Sequence, residues 1–219
     1  MFHFHDQVAY WEGTGATKIF THPVNFSWLD GLLDSQSRIL DYGCGYGRVM
    51  NLLYEQEYRN VEGVDFSAQM IHRGQQSFPH LSFRVIRSPL LSYADGSFDA
   101  VLLFAVLTCV PHDEDQRVLI DELVRVLKPG GVLYISDLGL QSDQRNRDRY
   151  DLFQQKYGVY GVFETGDGAV CRHHTMEWLR SLVSSCELLA TEEVEVVTMN
   201  GHHSQAVQLL ARKSPAEGR

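Results

Sequence analysis

The segment Asp41-Tyr42-Gly43-Cys44-Gly45-Tyr46-Gly47 sets glycines at alternate positions between the apolar pair Ile39-Leu40 and a stretch, 47–57, carrying Val49, Leu52 and Leu53 at helical spacing. Such a strand-to-helix turn brings a ligand close to backbone N–H groups at a helix N-terminus, because no Cβ stands in the way. The dinucleotide fingerprint G-x-G-x-x-G fails: counted from Gly43, its third glycine position is Arg48. The absence of G-x-x-x-x-G-K-[ST] excludes a nucleoside-triphosphate loop. A tight turn that holds no ligand is the competing account of the loop alone.

Around the loop, strand and helix patterns alternate. Ser37–Asp41, Val61–Asp65, Leu81–Ile86, Asp99–Phe104 and Val132–Ser136 predict buried strands. Helices are expected over 47–57, after the N-cap Ser67, and over 115–127, where Pro129-Gly130-Gly131 stops the pattern. An aromatic-rich segment, 1–37, predicts a further helix around 25–33, and Thr175 caps one over 176–186. Two strands, 188–198 and 206–212, flank Asn200-Gly201, a strong hairpin signal. The pattern implies an α/β fold with a parallel sheet covered on both faces and ending in a hairpin. At 219 residues, one domain is expected, with a cap segment (1–37), a ligand-binding core (38–137), an insertion (138–174) and a last helix and hairpin (175–219).

Apolar residues make up 44% and charged residues 21%, and no apolar run is long enough to span a bilayer. The opening Met-Phe-His-Phe-His-Asp is unlike a secretory leader, so a cytoplasmic location is expected and no membrane partner. Cys44, Cys109, Cys171 and Cys186 lack paired spacings, which argues against a disulfide framework or zinc ribbon. A net charge of −9 disfavours nucleic acid and favours a small-molecule substrate, with a basic protein partner as the remaining option. Arg145, Arg147 and Arg149, interleaved with Asp148, read as a solvated face.

Asp65 ends the second strand twenty residues after Gly45. A carboxylate there can accept hydrogen bonds from both hydroxyls of a ribose; alone, it could be a turn former or cap.

With these residues in place, Ile39–Arg48 resembles the first motif of class I S-adenosylmethionine-dependent methyltransferases, and Gly63-Val64-Asp65-Phe66-Ser67 resembles their ribose motif. Asp95–Val101 looks like the approach to their fourth strand, and Leu123–Gly131 like the helix and turn before their fifth. The resemblance spans about residues 38–137. It implies a doubly wound, Rossmann-like domain with a seven-stranded, mostly parallel sheet whose last strand is antiparallel. S-adenosylmethionine is the implied cofactor and S-adenosylhomocysteine its product.

By position, the resemblance implies that Gly43 and Gly45 admit the methionine portion, with Asp41 near its amino group and Cys44 also at the cofactor. Asp65 would hold the ribose, and Phe66 and Met70 would pack on the adenine. Many relatives carry an acid followed by a small residue after the third strand; here the pair is Arg87-Ser88. Arginine cannot accept a hydrogen bond, so adenine recognition is left to Ser88, backbone groups or stacking.

Ligands of open α/β sheets bind beyond the carboxyl ends of the strands, so Phe104 and Ala105 are expected to face the cofactor. Asp137 either points into that crevice or caps a turn. Tyr150, Phe153, Tyr157, Tyr160 and Phe163 make the insertion after the fifth strand either a satellite core or a substrate lid. The cap segment, with Tyr10 and Trp11, is expected to close the cofactor pocket. There Lys18 would pair with the methionine carboxylate or sit on the surface. His173 and His174 are candidate general bases, and His202-His203 can reach the same mouth; structural and metal-binding roles compete. Adjacent histidines rarely face one way, so no metal site is assigned. The expected activity is methyl transfer to an O, N or S nucleophile. A non-catalytic cofactor-binding domain and an NAD-dependent oxidoreductase are the alternatives.

Overall fold

A computed structural model of the chain describes residues 7–215; Met1–Asp6, read above as unlike a leader, and 216–219 lie outside it. Seven strands form the main sheet: β1 (Ile39–Tyr42), β2 (Val61–Asp65), β3 (Ser82–Val85), β4 (Phe98–Phe104), β5 (Leu127–Leu138), β8 (Cys186–Val197) and β9 (His203–Lys213). Their order is β3-β2-β1-β4-β5-β9-β8. The first five run parallel, and β9 is antiparallel to both its neighbours. The expected doubly wound, Rossmann-like sheet with an antiparallel last strand is therefore the fold.

Period-two alternation divides the sheet's side chains between two cores. From β4, Val101 and Leu103 join Leu119, Leu123 and Leu179, whereas Ala100, Leu102 and Phe104 join Val49, Met50 and Leu53. The first set comes from α4 (Asp113–Val126) and α6 (Met176–Leu182), the second from α2 (Arg48–Glu55), so helices cover opposite faces. Ser67 caps α3 (Ala68–Ser77) by accepting from Met70 N, and Thr175 caps α6 by accepting from Trp178 N.

Three boundaries differ from expectation. The helix around 25–33 is only a 3-10 turn, Phe26–Trp28, and the α-helix of the cap segment is instead a short α1 (Val8–Glu12). Asn25 N donates to the Tyr134 hydroxyl and Asn25 Nδ2 to Glu192, so long-range bonds to β5 and β8 hold the start of this segment in an extended conformation. Strand β5 begins at Leu127, directly after α4, because Leu127 already pairs with Phe98. Helix α6 ends at Leu182 instead of reaching Cys186, which opens β8.

Residues 138–174 contribute α5 (Gln144–Tyr157) and a small hairpin, β6 (Val162–Glu164) with β7 (Val170–Arg172). Tyr150, Phe163, Ala169 and Cys171 form a core of their own, with Tyr10, Leu140, Phe153 and Met199 packed against it. No described helix is long and apolar enough to cross a membrane.

Candidate active site

Beyond the carboxyl ends of β1, β2 and β4 lies a cavity of about 990 Å³, counting its mouth. The glycine loop forms its floor. Gly43 has φ +71°, and a Cβ there would meet Val106 Cγ2 at 2.4 Å. Gly45 has φ +53°, with nothing nearer than Met70 Cε at 3.9 Å, so space opens directly above its backbone. Two carboxylates flank the loop. Asp65 Oδ2 accepts from Gly45 N and Oδ1 from Ser67 N, both at 2.8 Å. Burial raises its pKa, opposed by those N–H groups. Asp41 is buried, and its Oδ2 has no hydrogen-bond partner. Burial pushes its carboxyl up to about 8, with Arg48 pulling the other way. A buried acceptor without a donor suits a ligand that brings one.

Phe66 and Met70 line the same cavity, as do Cys44, Phe104 and Ala105. Ala105 has φ +56°, a left-handed conformation that costs an alanine about 1–2 kcal/mol. Its N–H donates to Ser136 O at 2.8 Å, which holds the chain in that turn at the end of β4. The cap segment supplies the roof through Val8, Trp11 and Phe20. Gln7 ties the roof down, donating to Cys109 O at 2.7 Å and accepting from Val170 N at 2.9 Å.

The Methyltransferase domain family matches residues 40–135, which contain the loop, Asp65 and β4. A SAM-dependent methyltransferase from Methanosarcina mazei has the same fold over 86% of this chain and 97% of its own, with TM-score 0.80 and 26% identity. The chain carries a class I S-adenosylmethionine-dependent methyltransferase domain. Among curated relatives, a 2-methyl-6-phytyl-1,4-hydroquinone methyltransferase from Synechocystis sp. is 36% identical over 49% of this chain and 34% of its own length. The tRNA N(3)-methylcytidine methyltransferase Mettl2 of Drosophila melanogaster is 31% identical over 68% of this chain and 48% of its own. The chain thus spans about a third to somewhat over half the length of the first curated relatives it matches.

A second cavity, about 620 Å³, adjoins the first and shares Trp11, Phe20, His22, Ala105 and Cys109 with it. Its remaining wall comes mainly from α5, the β6–β7 hairpin and the β8–β9 turn, with Thr108, Leu138 and His173. Arg145 and Arg149 line it, so the arginine run is not simply a solvated face; only Arg147 of the three stays outside, exposed and bonded to Gln144. The run lies on a helix, where residues four apart share a face and Arg147 points elsewhere.

Several candidate residues sit away from the cavities. Lys18 donates to Asp167 Oδ2 at 2.6 Å and Asn200 Oδ1 at 2.5 Å, and the Tyr10 hydroxyl donates to Asp167 at 3.1 Å. Both fasten the cap segment to the insertion and the last hairpin, because Asp167 is the carboxylate within reach. Ser88 is exposed and accepts from Leu90 N, while Arg87 donates to Phe66 O at 3.1 Å. Asp137 caps the turn after β4, accepting from Thr108 N at 3.1 Å. Burial lifts its carboxyl to about 7.

The two adjacent histidines diverge. His173 faces the second cavity, its Nδ1 2.5 Å from the Tyr150 hydroxyl. His174 lines neither cavity: its ring lies between Gln116 Nε2 at 2.8 Å and Leu138 O at 3.2 Å. Burial holds His173 well below the usual imidazole range and His174 down to about 3, so both are neutral, weak bases at pH 7. His22, which the sequence reading passed over, lines both cavities with Nδ1 2.9 Å from Ser136 Oγ. Burial and then Arg48 lower it to about 3. A lone histidine before Pro23 carries no local signal of such a place.

Proposed function

We propose that this chain catalyses S-adenosylmethionine-dependent methylation of a small-molecule O, N or S nucleophile. The observation that carries the reading is the pair of adjoining cavities, one over the glycine loop and one under the insertion, meeting at Ala105 and His22. In the first cavity Asp41 Oδ2 would accept from the cofactor's amino group. Asp65, with one lone pair on each oxygen used by backbone N–H groups, would offer the others to the ribose hydroxyls. Phe66 and Met70 would pack on the adenine, with Cys44 and Phe104 completing the wall. S-adenosylmethionine, when bound, supplies a methyl group made electrophilic by its sulfonium.

The chain's own contribution is alignment and exclusion of water. Trp11 and Phe20 wall both cavities, and the insertion 138–174 acts as the substrate lid. Neutral His22 and His173 are weak bases, so a nucleophile that loses its proton to water, or arrives deprotonated, suits this site best. His173 is retained only as an orienting hydrogen-bond partner. Relatives named for a hydroquinone and for tRNA support different acceptor classes. The net charge of −9 favours the small molecule.

Turnover of methyl-labelled S-adenosylmethionine with a metabolite pool and, separately, with total tRNA tests this. Label in a small molecule is expected. Label in tRNA would overturn the acceptor class, and binding without transfer to either would favour a non-catalytic cofactor-binding domain.

A further inference from the structure

The second cavity has a charge character opposite to that of the whole chain. Its charged lining residues are Arg145 and Arg149, one helical turn apart on α5, and no aspartate or glutamate lines it. Among the described residues, no carboxylate lies within ion-pair distance of either guanidinium. Asp143, whose charge Arg145 feels, is occupied capping α5 through Asn146. After burial, Arg149, then His174, then Arg145 lower His173, and after burial Arg145 and Arg149 lower His202 against a smaller opposing pull from Asp143. The two cations therefore converge on the part of the cavity that the cofactor cavity does not share.

Arg149 is built to hold something planar. Its guanidinium lies over the Phe163 ring, 3.4 Å from the centroid, and the Tyr150 ring is 5.8 Å away. Stacking on one face leaves the in-plane N–H edges as the direction for recognition, and such a fork matches a carboxylate bidentately. Arg149 Nε, one tooth of that fork, is buried and has no hydrogen-bond partner. The neighbouring wall is apolar or neutral, with Phe20, Met199, Cys171 and Thr198.

We infer that the methyl acceptor carries a carboxylate, seated on Arg149 with Arg145 beside it, and presents its nucleophile toward Ala105, where the two cavities meet. This rests on the proposed division into cofactor and acceptor cavities. The carboxylate is an anchor, so discrimination arises from removing it: the neutral analogue leaves a stacked, half-buried cation unpaired.

Benzoate and benzamide serve as probes, each titrated into the protein with and without S-adenosylhomocysteine, following arginine Nε–H resonances by NMR. The Arg149 resonance is assigned by its loss in Arg149→Lys. Benzoate should shift that resonance saturably and bind at least tenfold more tightly than benzamide. Arg149→Gln should remove the preference while changing S-adenosylhomocysteine affinity less than twofold, and Arg147→Gln should change neither. Equal binding of acid and amide, binding of neither, or a shift confined to other arginines overturns the inference, as does a preference for phenyl phosphate over benzoate. If S-adenosylhomocysteine fails to bind, the proposed function falls, while the titrations without it still decide whether Arg149 is a carboxylate site.

Discussion

The two cavities are built in different ways. The glycine-loop cavity takes its floor from residues 41–46, with Asp65, Phe66 and Met70 beside it, and the left-handed glycines of the loop shape that floor. The second cavity gathers Arg149, Phe163, His173 and His202 from α5, the insertion hairpin and the last turn, with Trp11 from the cap segment. The first is a backbone device; the second is an assembly of side chains. Backbone devices tolerate little substitution at the glycines, whereas side-chain assemblies can change their ligand one residue at a time.

The largest effect is expected at Gly43. In Gly43→Val, a Cβ 2.4 Å from Val106 Cγ2 must be accommodated at a left-handed φ. Overpacking and backbone strain together cost about 2–5 kcal/mol. Thermal unfolding should show a clear fall in Tm, and calorimetry should show loss of S-adenosylhomocysteine binding. A variant that keeps wild-type affinity would remove the loop from the account.

Next is Asp65→Ala, which should weaken S-adenosylhomocysteine binding by about 1–3 kcal/mol through lost charge-assisted hydrogen bonds. Because Asp65 also accepts from Gly45 N and Ser67 N, Asp65→Asn is the informative partner. It keeps one acceptor oxygen and should fall between the alanine variant and wild type. Equal affinity in all three would show that the carboxylate does not touch the ligand.

How far each cavity can be read from the chain follows from the same contrast. Asp41, Gly43, Cys44, Gly45, Asp65, Phe66, Met70, Phe104 and Ala105 share one cavity because each sits at or just beyond the carboxyl end of β1, β2 or β4, and strand order brings those ends together. The sheet order is similarly legible, since strand and helix periods alternate in sequence. Tyr10, Lys18 and Ser88 were expected at the cofactor but point elsewhere, because their partners, Asp167, Asn200 and a local turn, are not apparent from neighbouring residues. Arg149 and His22 were missed for the complementary reason. A helix with a polar exposed face and a histidine before a proline carry no mark of what the insertion and cap will fold against. Ala105 is the intermediate case: its place was predictable, its left-handed backbone was not.

Asp137 gives a smaller, pH-dependent test of the boundary between site and scaffold. Burial raises its carboxyl to about 7, above its ordinary value near 4. Between those pH values the folded protein binds more protons than the unfolded chain, so this group's contribution to stability is present at low pH and lost as pH rises toward 7. Asp137→Asn removes that dependence. The variant should gain on wild type in Tm across pH 4–7, with little change in S-adenosylhomocysteine affinity. A constant Tm difference would mean the carboxyl is not buried as described.

The smallest effect is expected at Lys18, which bridges the cap segment to Asp167 and Asn200. Asp167 is pulled down to about 2, chiefly by Lys18. Exposed and partly exposed ion pairs contribute about 0–1 kcal/mol, so Lys18→Met should lower Tm by only a few degrees. Affinity for S-adenosylhomocysteine should stay within about threefold, a change of about 0.7 kcal/mol. A loss of tenfold or more would return Lys18 to the cofactor and move the cap segment's role from closure to recognition.

Isothermal titration of the wild-type protein with S-adenosylhomocysteine, set beside NAD, tests the central claim most directly. The account predicts saturable one-to-one binding of S-adenosylhomocysteine, lost in Gly43→Val, and no binding of NAD. Saturable binding of NAD with no response to S-adenosylhomocysteine would contradict it.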